Sequence, residues 1–106
     1  SDDMIILRGV NVFPTQIEEQ LLAMEGLAPH FQIELGRTGR MDEMTVHVEA
    51  LPDTAAPEMR ELAARHLARR IKDVVGVTVA VRVADPGGVP RSQGKAVRIV
   101  DNRPKD

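Results

Sequence analysis

Residues 31–49, FQIELGRTGRMDEMTVHVE, decide the fold of this chain. Apolar and polar side chains alternate over residues 31–35 and again over residues 44–49, which is typical of strands with one buried face. The polar, glycine-bearing segment 36–43 separates the two runs and predicts the loop of a β-hairpin. A sheet with one apolar face is therefore expected at the centre of the molecule.

One amphipathic helix is predicted on each side of this hairpin. The first follows Pro14, with Thr15 as N-cap and Glu18 as its capping-box partner. The second runs from Pro57 to Val75 and ends at a glycine. Its predicted buried stripe consists of Met59, Leu62, Ala63, Leu67, Ile71 and Val74.

Shorter β-prone runs complete the pattern. Residues 4–7 and 10–13 flank Arg8-Gly9 and predict a tight hairpin or a kinked strand. Residues 77–84 alternate strictly, and residues 96–100 predict a last strand. The order predicts an α+β, two-layer sandwich with a ferredoxin-like β-α-β-β-α-β pattern, an N-terminal β-hairpin, and a C-terminal lysine loop plus strand.

Length and composition exclude several classes of protein. The 106 residues suit one domain, and the formal charge of −2 offers no basic field for nucleic acid. No apolar run approaches the roughly 18 residues of a membrane-spanning helix. The absence of cysteine excludes disulfides and thiolate metal sites and suits the cytoplasm, and the three histidines have no metal-ligand spacing, so we expect no metal site.

The segment VPRSQGKAVR, residues 89–98, carries the one candidate catalytic cation, Lys95. Two prolines and three glycines between positions 86 and 94 oppose regular structure before this lysine. The segment is not a phosphate-binding P-loop, because Val89 stands where the first glycine is required and Ala96 replaces the hydroxyl residue. Most lysines beside a glycine are solvated surface charges, so the chemistry alone leaves the role of Lys95 open.

Two motifs at opposite ends of the chain point to a family. Residues 1–18, SDDMIILRGVNVFPTQIE, resemble the hinge motif that opens the C-terminal domain of AMP-forming acyl-CoA synthetases, members of the adenylate-forming superfamily. Residues 90–95, PRSQGK, resemble the terminal lysine motif of the same enzymes. The sequences of both motifs are most similar to those of the phenylacetate–CoA ligases and their aryl-acetate relatives. The resemblance spans nearly the whole chain.

This resemblance implies roles for particular residues. Lys95 would serve formation of the acyl-adenylate, where a cation can hold the attacking carboxylate near the α-phosphate. Asp2 would be the hinge about which the domain rotates between the two steps. Arg8, Gly9 and Val10 would face the coenzyme A tunnel during thioester formation.

The resemblance also implies partners. Residues 1–106 would be the mobile C-terminal domain of a larger ligase, working with its own N-terminal domain on ATP, Mg²⁺, an aryl-acetate and coenzyme A. The usual Gly-Arg pair before the hinge motif and the large N-terminal domain are missing, so this chain alone is expected to be inactive and to bind none of these stably. A homodimer, where one forms, is expected to form through the full-length enzyme.

A second class of function stays open at this point. A free-standing ferredoxin-like regulatory domain that binds a small ligand fits the order of helices and strands equally well. It leaves both end motifs unexplained. An RNA-binding sheet is disfavoured, because the chain has only two aromatic residues with which to stack bases.

Overall fold

The order of helices and strands agrees with the prediction. The computed structural model describes residues 3–91 and 98–105. In this part of the chain the elements are β1 (Ile5–Leu7), β2 (Val10–Val12), α1 (Pro14–Leu22), β3 (Leu27–Thr38), β4 (Met41–Ala50), α2 (Pro57–Val75), β5 (Ala80–Ala84) and β6 (Ile99–Asp101), with a 3-10 turn at Pro52–Thr54.

The central hairpin is longer than predicted. β3 and β4 pair antiparallel from Phe31 opposite Val48 as far as Thr38 opposite Met41. The segment 36–43, predicted as a loop, is therefore mostly strand, and only residues 39–40 connect the two strands. The prediction was wrong because polar residues at the end of a long hairpin satisfy their backbone groups in the ladder without burying a side chain.

Four strands form the main sheet, in the order β5-β4-β3-β6. β5 pairs parallel with β4, and β6 pairs parallel with β3. β1 and β2 pair antiparallel in a separate two-stranded sheet, which is the predicted N-terminal β-hairpin. Both helices and the main sheet share one hydrophobic core, which makes the fold the predicted two-layer α+β type.

The first helix begins two residues earlier than its predicted N-cap, Thr15, implies. Pro14 occupies its first turn, where a fixed φ and a missing N–H are no disadvantage. Phe13 is the N-cap, and its N–H donates to Oε1 of Gln16 at 2.9 Å. The predicted capping box of Thr15 and Glu18 was therefore wrong, because the N-cap lies two residues earlier, at Phe13, which puts Gln16 at the third helical position.

The second helix has the predicted bounds, Pro57–Val75, and ends at Gly76 in the left-handed conformation with φ of 88°. Its buried stripe is narrower than predicted. Leu67 and Ile71 are fully buried, with Ala63 and Val75 partly buried beside them. Met59, Leu62 and Val74 are exposed, because only the row of residues spaced by four faces the sheet and α1.

Candidate functional site

The turn between β1 and β2 brings together the three residues predicted to face coenzyme A. Arg8 and Gly9 both have positive φ, 47° and 80°, as a two-residue hairpin turn requires. A Cβ added at Gly9 would meet no heavy atom within 4 Å. The glycine is therefore required by the backbone conformation, and its backbone lies open on the outer side of the turn.

The Arg8 side chain ties this turn to the rest of the domain. Its Nη1 and Nη2 atoms each donate to a backbone carbonyl oxygen at 2.5 Å, that of Asp42 in β4 and that of Thr78 before β5. Both outer nitrogens are thus engaged within the chain. Arg8 fixes the position of the Gly9 turn, a role that the sequence did not predict.

A groove of about 690 Å³ lies beside the turn. Its walls are partly apolar and include two cations, Arg8 from the turn and Lys72 from the last turn of α2. The residues that line it are Leu7, Arg8, Val10, Met41, Glu43, Met44, Thr45, Lys72, Gly76, Val77, Thr78, Val79 and Ala80. A thin, mostly apolar chain with polar groups along it fits the chemistry of these walls.

Asp42 and Arg103 hold the hairpin side of the domain in place. The Asp42 carboxylate accepts from Arg37 at 2.6 Å and from Arg103 at 3.0 Å. Arg103 also donates to the carbonyl oxygen of Ile6 in β1, at 3.2 Å. Arg37 first and Arg103 second lower the pKa of Asp42. Sequence patterns give no sign of this cluster, because Arg103 lies 61 positions from Asp42 and 97 positions from Ile6.

Glu49 forms a second buried polar site, at the opposite end of β4. It is only 2% exposed, yet its carboxylate accepts four hydrogen bonds. Arg91 donates to both of its oxygens at 2.7 Å, and the backbone N–H groups of Gly87 and Val89 donate to one oxygen each at 3.1 Å. The bidentate Arg91, with help from the two N–H groups, lowers the pKa of Glu49 to about 2.

Arg98 anchors the chain on the neighbouring strand. Its carbonyl oxygen accepts from the N–H of Ile33 at 2.6 Å. Its guanidinium lies 4.9 Å from the centre of the Phe31 ring and 3.3 Å from the Glu18 carboxylate. Glu18 is therefore an ion-pair partner of Arg98 on the helix surface.

Two predicted site residues, Lys95 and Asp2, lie outside the described residues. Their roles stay predictions. The described residues that lead towards Lys95 end at Arg91, and those that lead away from it begin at Arg98.

Within residues 3–91 and 98–105, no group of three acidic or histidine side chains could hold a metal ion.

His47, predicted to be solvated, pairs across the strands with Glu34, with 2.9 Å between Nε2 of His47 and Oε1 of Glu34. This contact lowers the pKa of the Glu34 carboxyl. In the same part of the chain, neither helix combines the length and apolar character of a membrane span.

The chain combines a two-layer α+β fold with a glycine turn near its N-terminus and a lysine motif near its C-terminus. This combination points to one class of protein, the C-terminal domains of AMP-forming enzymes. Residues 9–103 match the family model described as "AMP-binding enzyme C-terminal domain", and the chain belongs to that family.

Its relatives narrow the comparison. The chain is 45% identical, over 97% of its length, to the phenylacetate–coenzyme A ligase of Escherichia coli strain K12. It spans about a quarter of the length of the curated relatives it matches, 24% for the Escherichia coli protein.

Two solved structures of CoA ligases have the same fold as this chain. A crystallised domain of a phenylacetate–coenzyme A ligase from Bacteroides vulgatus superposes with a TM-score of 0.87 and 40% identity, covering 99% of this chain and 97% of that one. The crystal structure of 2-hydroxyisobutyryl-CoA ligase with 2-HIB-AMP and CoA in the thioesterification state also has a TM-score of 0.87, at 31% identity. That match covers 96% of this chain and 22% of the ligase chain.

Proposed function

We propose that this chain is the mobile C-terminal domain of an AMP-forming aryl-acetate–CoA ligase of the phenylacetate type, which serves phenylacetate degradation. The observation that carries the proposal is the match of nearly the whole chain, at 45% identity, to a phenylacetate–coenzyme A ligase. The geometry of the Gly9 turn and the attachment of the segments on either side of the lysine motif support it.

The proposed reaction has two steps. A carboxylate oxygen attacks the α-phosphorus of ATP, the bond from that phosphorus to the bridging oxygen breaks, and pyrophosphate leaves with the electron pair. The thiol of coenzyme A then loses its proton and attacks the carbonyl carbon of the acyl-adenylate. The bond to the adenylate oxygen breaks, and AMP leaves as the thioester forms.

In the first step, Lys95 is the catalytic residue of this domain. Its ammonium group offsets negative charge on the carboxylate and the α-phosphate as they approach each other. Mg²⁺ enters with ATP and neutralises charge on the phosphates. We assign the metal to the ATP complex of the full-length enzyme.

In the second step, the Arg8-Gly9-Val10 turn faces the thiol-bearing arm of coenzyme A. Gly9 fits this role because its open backbone lets a thin chain lie against it without meeting a side chain. The adjoining groove accommodates an arm that alternates apolar and amide groups.

The two steps require the domain to present different faces to one active site. Asp2 is proposed as the hinge that absorbs this rotation. The partner is the enzyme's own N-terminal domain, which supplies the pocket for the acyl group. The cytoplasm is the expected location, and a homodimer would form through the full-length enzyme.

The test is phenylacetate-dependent exchange of pyrophosphate into ATP by the full-length enzyme, with wild type compared with Lys95→Ala. We expect exchange in the wild type and a loss of at least about 100-fold in the variant, the scale seen when a group that stabilises transition-state charge is removed. No exchange with any aryl-acetate would overturn the proposal. Full exchange by the variant would remove Lys95 from the mechanism.

The free-standing regulatory domain has no comparable support. The match to the AMP-binding enzyme C-terminal domain family covers residues 9–103, which include the lysine motif and the second half of the hinge motif, and a small-ligand regulator leaves both motifs unexplained. The isolated 106-residue chain should produce no thioester, because it lacks the acyl pocket.

A further inference from the structure

We propose that Glu49 is a positioning residue for the adenylation step, acting through Arg91 on the segment that leads into the lysine motif. This inference rests on the proposed function. It concerns the pair formed by Glu49 and Arg91. Arg91 belongs to the lysine motif, whereas Glu49 lies in β4, 42 positions earlier, and belongs to neither motif.

The first argument is the burial of Glu49. The outward-facing neighbours of Glu49 along β4, Thr45 and His47, are partly exposed, as expected for the polar face of a sheet. Glu49 belongs to the same face but is 2% exposed, because the turn after β5 folds over it. Burying an ionised carboxylate is costly unless it is paired and hydrogen-bonded.

The second argument is where its partners lie. All four hydrogen bonds to the Glu49 carboxylate come from residues 87–91. Two are from backbone N–H groups and two are from one planar guanidinium, so together they fix both the position and the direction of this segment. The Val89 side chain, 2% exposed, packs underneath.

The third argument is that the chain is also bonded to the sheet just after the lysine motif. At residue 98 the chain is bonded to β3, the strand that pairs with β4. The guanidinium of Arg98 stacks on the buried Phe31 ring. The six intervening residues, which include Lys95, are thus flanked by attachments to adjacent strands of one sheet. Supporting contacts of this kind determine how accurately a catalytic group is placed.

The test measures both half-reactions in the full-length enzyme. Adenylation is followed by phenylacetate-dependent pyrophosphate exchange, and thioester formation is followed separately from preformed phenylacetyl-adenylate and coenzyme A. The variants are Arg91→Ala, Arg91→Lys, Glu49→Gln and the double variant Glu49→Gln/Arg91→Ala. The control is Arg69→Ala, which removes an exposed arginine of α2 that makes only a 3.9 Å ion pair with Asp73.

We expect Arg91→Ala and Glu49→Gln to lower kcat for adenylation by roughly 10- to 100-fold, the usual loss when a supporting contact to a functional group is removed. Thioester formation should stay within about twofold of wild type, and KM for ATP should change little. The double variant should be no slower than the worse single variant, because the two residues act as a unit. Arg91→Lys keeps the charge but loses the bidentate geometry, so it should recover only part of the rate.

The outcomes separate this inference from the proposed function. If exchange is lost in Lys95→Ala but is normal in Arg91→Ala and Glu49→Gln, the positioning role is wrong and the ligase assignment stands. If both half-reactions fall equally and the melting temperature falls with them, Glu49 only stabilises the domain, and the inference is overturned. If the wild type shows no exchange, the proposed function fails first.

Discussion

The Glu49 carboxylate and the Arg91 guanidinium meet through two hydrogen bonds of 2.7 Å, one to each carboxylate oxygen. Glu49 is buried, whereas the Arg91 side chain is 50% exposed. Arg91 therefore shields the charge of the Glu49 carboxylate from solvent at the end of β4. The ion pair requires the ionised form of the Glu49 carboxylate, so lowering the pH is the simplest way to weaken it.

Acid should weaken the folded chain partly through Glu49. Its pKa is about 2 in the folded state and 4.5 as the ordinary value. Because the folded pKa is the lower one, the contribution to stability is complete above pH 4.5 and is lost as the pH falls from 4.5 towards 2. The loss amounts to at most about 3.5 kcal/mol, at about 1.4 kcal/mol per unit of pKa difference. Urea unfolding of wild type and Glu49→Gln between pH 7 and pH 2 measures it.

The variant corrects for the other carboxylates that titrate in this range. Asp42 and Asp101 also have lowered pKa values, so wild type and variant should both lose stability in acid. The difference between their free energies of unfolding isolates Glu49. Equal slopes for the two proteins below pH 4.5 would contradict the assignment of a low pKa to this residue.

Gly9→Ala tests whether the β1–β2 turn takes part in thioester formation. The substitution forces a φ of 80° on an L-residue, at a cost of about 1–2 kcal/mol. The added methyl group would stand in open space, where the arm of coenzyme A is proposed to lie. We expect thioester formation from preformed acyl-adenylate to slow at least about tenfold, with adenylation nearly unchanged. Half-reaction assays on the full-length enzyme measure both steps.

Gly39→Ala is the matched control. Gly39 also has positive φ, 63°, and a Cβ there would meet nothing within 4 Å. It should cost similar stability and leave both half-reactions unchanged. A similar slowing of thioester formation by the two variants would attribute the effect to lost stability.

Gly88→Ala should disturb the turn that covers Glu49 without removing any charge. An added Cβ would lie 2.8 Å from the Cβ of Ala84 and 2.9 Å from the carbonyl oxygen of Asp85. Neither atom belongs to a flexible side-chain end, so the backbone has to shift, at a cost of about 1–3 kcal/mol. Gly36→Ala, which meets nothing within 4 Å, is the control. Thermal unfolding that is equal for the two variants would contradict the close packing of this turn.

Two leucines of α2 should respond differently to truncation. Leu67 is fully buried, so Leu67→Ala should cost about 2–5 kcal/mol. Leu62 is 60% exposed, so Leu62→Ala should stay within about 0.5 kcal/mol of wild type. Denaturant unfolding measures both. A large cost at Leu62 would mean that this face of the helix is covered in solution.

Local patterns predicted the elements well. Alternation identified β3, β4 and β5, and proline and glycine correctly marked both ends of α2. These features are decided by neighbours within a few residues. The helix stripe was partly wrong because the sheet covers only one row of α2, and the extent of that contact depends on how the layers pack.

The polar contacts could not be predicted in the same way. Glu49 sits in the alternating pattern of β4 as an outward-facing residue, and only the distant turn at residues 87–91 buries it. Arg8 was assigned to the coenzyme A tunnel by resemblance, but its guanidinium reaches two carbonyls that lie 34 and 70 positions away. Such pairings depend on tertiary structure, which leaves no periodic trace in the sequence.

Both polar sites are attached to one strand. Arg8 is bonded to Asp42 near the start of β4, and Arg91 is bonded to Glu49 near its end. Seven residues of extended chain separate these points by about 23 Å, at about 3.3 Å per residue. Because the sheet holds this separation constant, a single catalytic centre smaller than that span can be reached by only one end of the strand at a time. In the proposed two-step reaction, the end of β4 that holds Arg91 and the end that holds Arg8 would therefore serve different steps.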